Sequence, residues 1–267
     1  MKTSARIRYD ALSLVFAALG GLILLFIIAP LVSLCIHCSG PEMLATLKDT
    51  ELGNSIWLTL ATSMAATLVF AVAAIPFAYL LARKNFPLKA LVTGLIDVPI
   101  VIPHSAAGIA LFGVLSRAGF LGRIAERIGF SFVGSGAGIA LAMAFVSLPY
   151  LVNSARDGFL AVPIRLEKAA LNLGANPLRV FFTVSVPLAW RPILSGLILM
   201  WARGMSEFGA VLIIAYHPMT TPILIYERFG AFGLRYARPA AVTFIAVCLL
   251  FFIAFRVLAG RRQYAQR

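Results

Sequence analysis

Uncharged apolar runs long enough to cross a membrane constrain this chain more than any other feature. Residues 11–36, 54–82, 98–116, 128–155 and 239–255 hold no charged side chain, and about 192–216 is interrupted only by Arg203 and Glu207. Crossing the hydrocarbon core takes about 20 residues of helix. Backbone groups find no water there, so such segments must be helical. The fold class expected is an all-α polytopic membrane protein with six transmembrane helices in a single domain spanning residues 1–267. A soluble enzyme is excluded by composition, because only 12% of the residues are charged against about a quarter in soluble domains.

A net charge of +13 could point to nucleic acid, but the Lys and Arg residues stand at the borders of the apolar runs, where they report topology. With both termini in the cytoplasm, the inner segments carry 15 basic residues and the outer loops 7, leaving Arg203 in the membrane. The partner is therefore membrane lipid and not nucleic acid, and the location is the cell membrane, multi-pass. Lys2, Arg6 and Arg8 ahead of an apolar run could also open a signal peptide. The run of 26 residues is too long for one and lacks a small-residue cleavage site, so an uncleaved first helix is expected.

Cys35, His37 and Cys38 cluster at the outer end of the first span. A single turn cannot supply four tetrahedral ligands, so no metal is expected there and the residues are read as interfacial packing. Cys248 lies within the last span, and His104 and His217 have no Asp or Cys at ligand spacing. No Gly-x-x-x-x-Gly-Lys-Ser/Thr run occurs, so no phosphate-cradling loop is expected. The Gly134, Gly136, Gly138 series lacks a following lysine and opens a membrane helix, where small residues serve close packing.

The segment at about 156–191, the longest on the cytoplasmic side, carries the most specific pattern. Pro163 can take the first position of a helix, Gly174 can end it in the left-handed conformation, and Asn176 with Pro177 can cap and start another. A helix, a sharp bend and a second short helix at the membrane surface follow. The exposed face is expected to carry Glu167, Ala170 and Gly174, spaced three and four residues apart.

Glu167, Ala169, Ala170, Gly174, Phe182 and Pro187 resemble the EAA loop of ABC importer permeases, the segment that enters a cleft of the ATPase subunit. Lys168 departs from the more usual Ala or Glu at its position. The six spans extend the resemblance to nearly the whole chain and imply the type I importer fold. The stretches Asp97 to Leu111 and Trp201 to Ala210 look like those of molybdate, tungstate and sulfate permeases, the molybdate/tungstate type most of all. The resemblance implies a transport subunit without its own nucleotide site or cofactor, with ATP and magnesium on the partner. It also implies a permease homodimer, two ABC ATPase subunits and an external oxyanion-binding protein. Sulfate or thiosulfate is the alternative substrate class.

The same stretches hold the pathway or gate candidates, Asp97, Pro99, Pro103, His104, Ser105, Arg203, Ser206 and Glu207, and physical arguments bear on four of them. Pro99 and Pro103 each remove a helical hydrogen bond, either as a simple kink or as irregular backbone facing a wet cavity. This irregular piece is expected in the cytoplasmic half of the pathway. Arg203 and Glu207 share a helix face and can pair, either as a clamp between helices or as part of the gate. Each charge alone costs about 2.5–3.5 kcal/mol at a helix centre, so neither is expected to face lipid. A stand-alone secondary transporter would need paired intramembrane acids, and Asp97 and Glu207 each lack a second carboxylate at helical spacing.

Overall fold

The computed structural model describes residues 11–264, with side chains for 12–254. Lys2, Arg6, Arg8 and Arg267, and the side chains of Arg256, Arg261 and Arg262, on which the inward placement of the termini partly rests, lie outside the described residues. In chain order the helices are α1 (Ala11–Ile36), α2 (Gly40–Leu47), α3 (Thr50–Arg83), α4 (Lys89–Val101), α5 (His104–Leu115), α6 (Phe120–Arg127) and α7 (Gly136–Ala161). They continue with α8 (Ile164–Asn172), α9 (Pro177–Val180), a π-helical turn (Phe181–Ser185), α10 (Val186–Met205), α11 (Gly209–Ile214), α12 (Thr221–Phe232) and α13 (Leu234–Tyr264). No strand occurs among the described residues.

Five helical stretches are long and apolar enough to span: Leu12–Ile36, Thr50–Arg83, Gly136–Ala161, Pro177–Met205 and Leu234–Ala254. The sixth span departs from the sequence reading. Residues 98–116 are not one helix: α4 and α5 are bent 113° apart, because Pro103 offers no N–H and drives Ile102 before it into extended backbone at ψ 146°. The run 128–155 also starts later than expected, since the Ser135 side chain caps α7 by accepting from Gly138 N–H. The expected span 192–216 ends at Met205, where a break precedes α11.

Small side chains let the central helices approach closely. Ala74, Ala78 and Leu81 of α3 pack with Leu151, Ala155 and Phe159 of α7 and with Ala189 and Ile193 of α10. Ala107 of α5, Ile139 and Met143 of α7, and Ala210 and Ile214 of α11 form a second core. By contrast α1 exposes its apolar side chains along its length and packs against α13, a surface suited to lipid.

Hydroxyls buried on α3 satisfy themselves within the helix, Thr59, Ser63 and Thr67 each donating to the carbonyl four residues back. Thr59 also accepts from the Thr221 N–H at 2.8 Å, where α12 begins. At the end of α3 that carries Asp49, Arg228 of α12 pairs with Asp49 and Glu51. Arg235 of α13 holds Glu42 of α2 at 2.7 Å. The hydrogen bonds from Arg235 and Ser39 bring the Glu42 carboxyl down to about 2. A depressed carboxyl stabilises the fold at pH above its unfolded value and loses that contribution as pH falls toward 2.

Candidate functional site

Two interrupted helices meet inside the bundle. One interruption separates α4 from α5 at Ile102 and Pro103, and the other separates α10 from α11 at Ser206, Glu207 and Phe208. Irregular backbone at membrane depth persists where protein or a water-filled cavity receives it, and here each interruption receives the other. A Cβ on Gly209 would lie 2.8 Å from the His104 Cβ, and one on Gly108 would lie 3.0 Å from the Ala210 Cα. Gly209 has no room for a side chain unless something shifts, and Gly108 could take one only if α11 gave by a few tenths of an ångström. Gly209→Ala should therefore push α5 off α11 and cost about 1–3 kcal/mol, as overpacking does. Thermal melting and uptake measured on this variant check it; unchanged values would mean that the two interruptions do not depend on this contact.

Four of the residues singled out in the sequence come together at this junction. The Arg203 guanidinium lies 3.0 Å from Glu207 Oε2 and donates to Ser206 Oγ at 3.3 Å. One of its nitrogens is also 3.0 and 3.2 Å from the His104 ring nitrogens. The expected i, i+4 pairing of Arg203 with Glu207 is present, and His104 extends it, its Nδ1 standing 3.4 Å from Glu207 Oε2. The carboxylate is the buried member at 1% exposure, while the Arg203 and His104 side chains are 21% and 46% exposed. Glu207 further accepts the Ala210 N–H at 2.9 Å, capping the start of α11. Its charge is thus held by groups on both sides of the break.

Because the acid is buried and its partners are not, the open side of this cluster presents nitrogen donors and the Ser206 hydroxyl. Ser105 is exposed beside His104. Such a surface can offer charge-assisted hydrogen bonds to an anion, with the Arg203 charge balanced on its inner side by Glu207. The participation of His104 was not visible in its neighbourhood, since its partner Arg203 is 99 residues away. α4 has 13 residues, and at 1.5 Å each Pro103 stands about 20 Å along the helix from Lys89. There His104, next in the chain, meets Arg203 of α10. Asp97 is not part of the cluster; Asn153 of α7 donates to it at 2.6 Å. Pro99 is buried within α4.

At the other end of the bundle, the segment 162–187 has the expected bend. Gly174 is left-handed at φ 86°, and the Asn176 side chain accepts the Arg179 N–H at 2.7 Å ahead of Pro177. Pro163 is the cap of α8 and not its first residue. Lys168, Ala169, Gly174, Phe182 and Pro187 are exposed, with Ala170 half-buried.

Glu167 corrects the sequence reading. It does not lie on the exposed face with Ala170 and Gly174 but is buried, because Arg83 at the end of α3 forks onto its carboxylate. The Arg83 Nε is 3.0 Å from Oε2 and 3.1 Å from Oε1, and a terminal nitrogen is 2.9 Å from Oε1. Ser185 donates to Oε1 at 2.7 Å and the Tyr79 hydroxyl to Oε2 at 3.4 Å. Arg83, Tyr79 and Ser185 were missed in the sequence; the first two lie 84 and 88 residues from Glu167. No local spacing could reveal them.

Cys35, Cys38 and Cys248 are free. The His37 Nδ1 lies 2.7 Å from the Ser33 carbonyl oxygen, and the Cys38 thiol donates to that of Leu34. Among the described residues no three His, Cys, Asp or Glu side chains gather as a metal set.

Residues 74–264 match the family model described as binding-protein-dependent transport system inner membrane component. The chain is 42% identical over 258 residues to the molybdate/tungstate transport system permease protein WtpB of Thermococcus kodakarensis, covering 96% of this chain and 99% of that one. It is 34% identical over 210 residues to a probable sulfate transport system permease protein of Chlorokybus atmophyticus, covering 77% of this chain and 73% of the other. In structure it resembles a chain of a bacterial ABC transporter that imports the acidic polysaccharide alginate, with a TM-score of 0.72 at 16% identity over 93% of this chain and 95% of that one.

Proposed function

Because this chain belongs to the family of binding-protein-dependent transport system inner membrane components, we propose that it is the membrane-spanning permease of an ABC importer and that molybdate or tungstate is its cargo. The observation that carries the substrate is the 42% identity, along almost the full length of both chains, to a molybdate/tungstate permease. The sulfate-type relative matches a smaller share of the chain at lower identity.

In this reading both termini and the segment at about 156–191 face the cytoplasm. The exposed residues Lys168, Ala169 and Gly174, with Ala170, Phe182 and Pro187, form the surface that enters a cleft of the ATPase, which holds ATP and magnesium. Two copies of the chain surround a central path by a twofold arrangement, since one copy supplies one coupling segment and two ATPase subunits need two. An external binding protein delivers the oxyanion to the outer mouth. His104, Ser105, Arg203 and Ser206 line the path near mid-depth, where their donors meet the passing anion.

Uptake into vesicles holding the permease, its ATPase and its binding protein tests the substrate. Labelled molybdate should enter in an ATP-dependent way and be competed by tungstate, with sulfate at least about tenfold weaker, a difference of about 1.4 kcal/mol. Sulfate carried as well as molybdate would sink the assignment.

A further inference from the structure

Arg83 has no place in the reading above, yet it makes the most elaborate side-chain contact at the segment that meets the ATPase. We propose that Arg83 is a positioning residue for coupling, which locks the end of α3 to α8 so that a displacement of the coupling segment is handed directly to α3. The proposal rests on the coupling-segment reading and adds the route by which its movement travels.

The geometry is that of a two-point clamp. One guanidinium holds both oxygens of Glu167, and its terminal nitrogen also donates to the Val162 carbonyl at 3.0 Å, so it grips α8 both at its side chain and at the backbone ahead of it. Both side chains are under one-tenth exposed. A planar fork of this kind fixes direction as well as distance, which a lysine cannot do. Ser185 brings the π-helical turn onto the same carboxylate. The Tyr79 ring meets the rings of Phe159 and Phe181 edge-on, at centroid distances of 5.2 and 5.0 Å. A single carboxylate thus joins α8 to α3 and to the turn leading into α10.

What α3 could transmit follows from its contacts elsewhere. It is one helix of 34 residues, about 51 Å long. Thr59 accepts the N–H that begins α12, and Asp49 and Glu51 hold Arg228 of α12 at its far end. Movement of α8 is therefore shared with α12 through α3, and with the Arg203 junction through α10.

The test uses the whole complex of permease, ATPase and binding protein in vesicles, with molybdate as the probe. Arg83→Gln should leave the permease inserted and the ATPase associated, while molybdate transported per ATP hydrolysed falls about tenfold, within the 5- to 150-fold range of couplings between sites. Arg83→Gln with Glu167→Gln should lose no more than the worse single variant, because both act through one contact. If Arg83→Gln does not insert, Arg83→Lys, which keeps the charge but not the fork, carries the measurement and should also lower the ratio. Association, hydrolysis and uptake falling together at an unchanged ratio would overturn the proposal, as would losses that multiply in the double variant. A cross-link from Lys168→Cys to the ATPase, made in the otherwise unchanged chain, separates the two readings. Its absence would refute the coupling segment itself, whereas its presence with an unaffected ratio in the Arg83 variants refutes only the role of Arg83.

Discussion

Gly174→Val is expected to lower uptake by about 5- to 150-fold with the membrane spans still inserted, which is what about 1–3 kcal/mol of backbone strain does to a docking equilibrium. Gly174 is left-handed at φ 86°, a conformation closed to a β-branched residue, and no neighbouring atom lies within 4 Å of where its Cβ would be. The strain is therefore confined to the bend between α8 and α9 and does not reach the packed core. Gly174→Asn separates shape from bulk, because asparagine adopts left-handed backbone at little cost. It should retain most ATPase association, measured by co-purification. Normal uptake with a normally associated ATPase in the valine variant would remove the main support for a coupling segment here.

The second large effect concerns the Arg203 junction. Arg203→Ala should destabilise the chain by about 3 kcal/mol, the scale of breaking a buried ion pair, since it leaves the Glu207 carboxylate at 1% exposure without its guanidinium partner and beside the His104 ring alone. Adding Glu207→Gln neutralises that charge and keeps an oxygen for the Ala210 N–H, which Glu207→Ala would strand. The double variant should therefore be more stable than Arg203→Ala by at least about 1 kcal/mol in a double-mutant cycle. Melting temperature in detergent and vesicle uptake both report it. Losses that simply add would show that the two side chains do not act as a pair.

The parts of this fold legible in the sequence are those whose signals are local. Uncharged length located five of the six expected spans, the other being a pair of helices bent 113° apart, and Gly174, Asn176 and Pro177 located a bend, because left-handed backbone, capping and a missing N–H act within a few residues. Arg203 and Glu207 were paired correctly for the same reason, as i, i+4 neighbours on one helix. The errors lie where distant segments decide. Glu167 has the spacing of an exposed residue, and only the arrival of Arg83 from α3 turns it inward. His104 was named as a pathway candidate, but its partner Arg203, on another span, was not legible. The ends of α7 and α10 were misplaced because hydrophobicity does not register where a helix stops: residues 128–135 are apolar enough for the membrane, and 206–208 sit inside a run that stays apolar on both sides of Glu207, yet caps and packing interrupt both.

The π-helical turn sets an azimuth. In it the Val186 N–H reaches back five residues to the Phe181 carbonyl. An α-helix advances about 100° per residue, so the additional residue accommodated in this wide turn rotates everything on its N-terminal side by about that angle relative to α10. At this setting Ser185 meets Glu167 and Phe182 faces outward. A chain one residue shorter here would keep every side chain of α8 and α9 and yet aim them about 100° away. The compass bearing of the two short helices is thus stored in the backbone between Phe181 and Ser185, apart from the residues that form their surface.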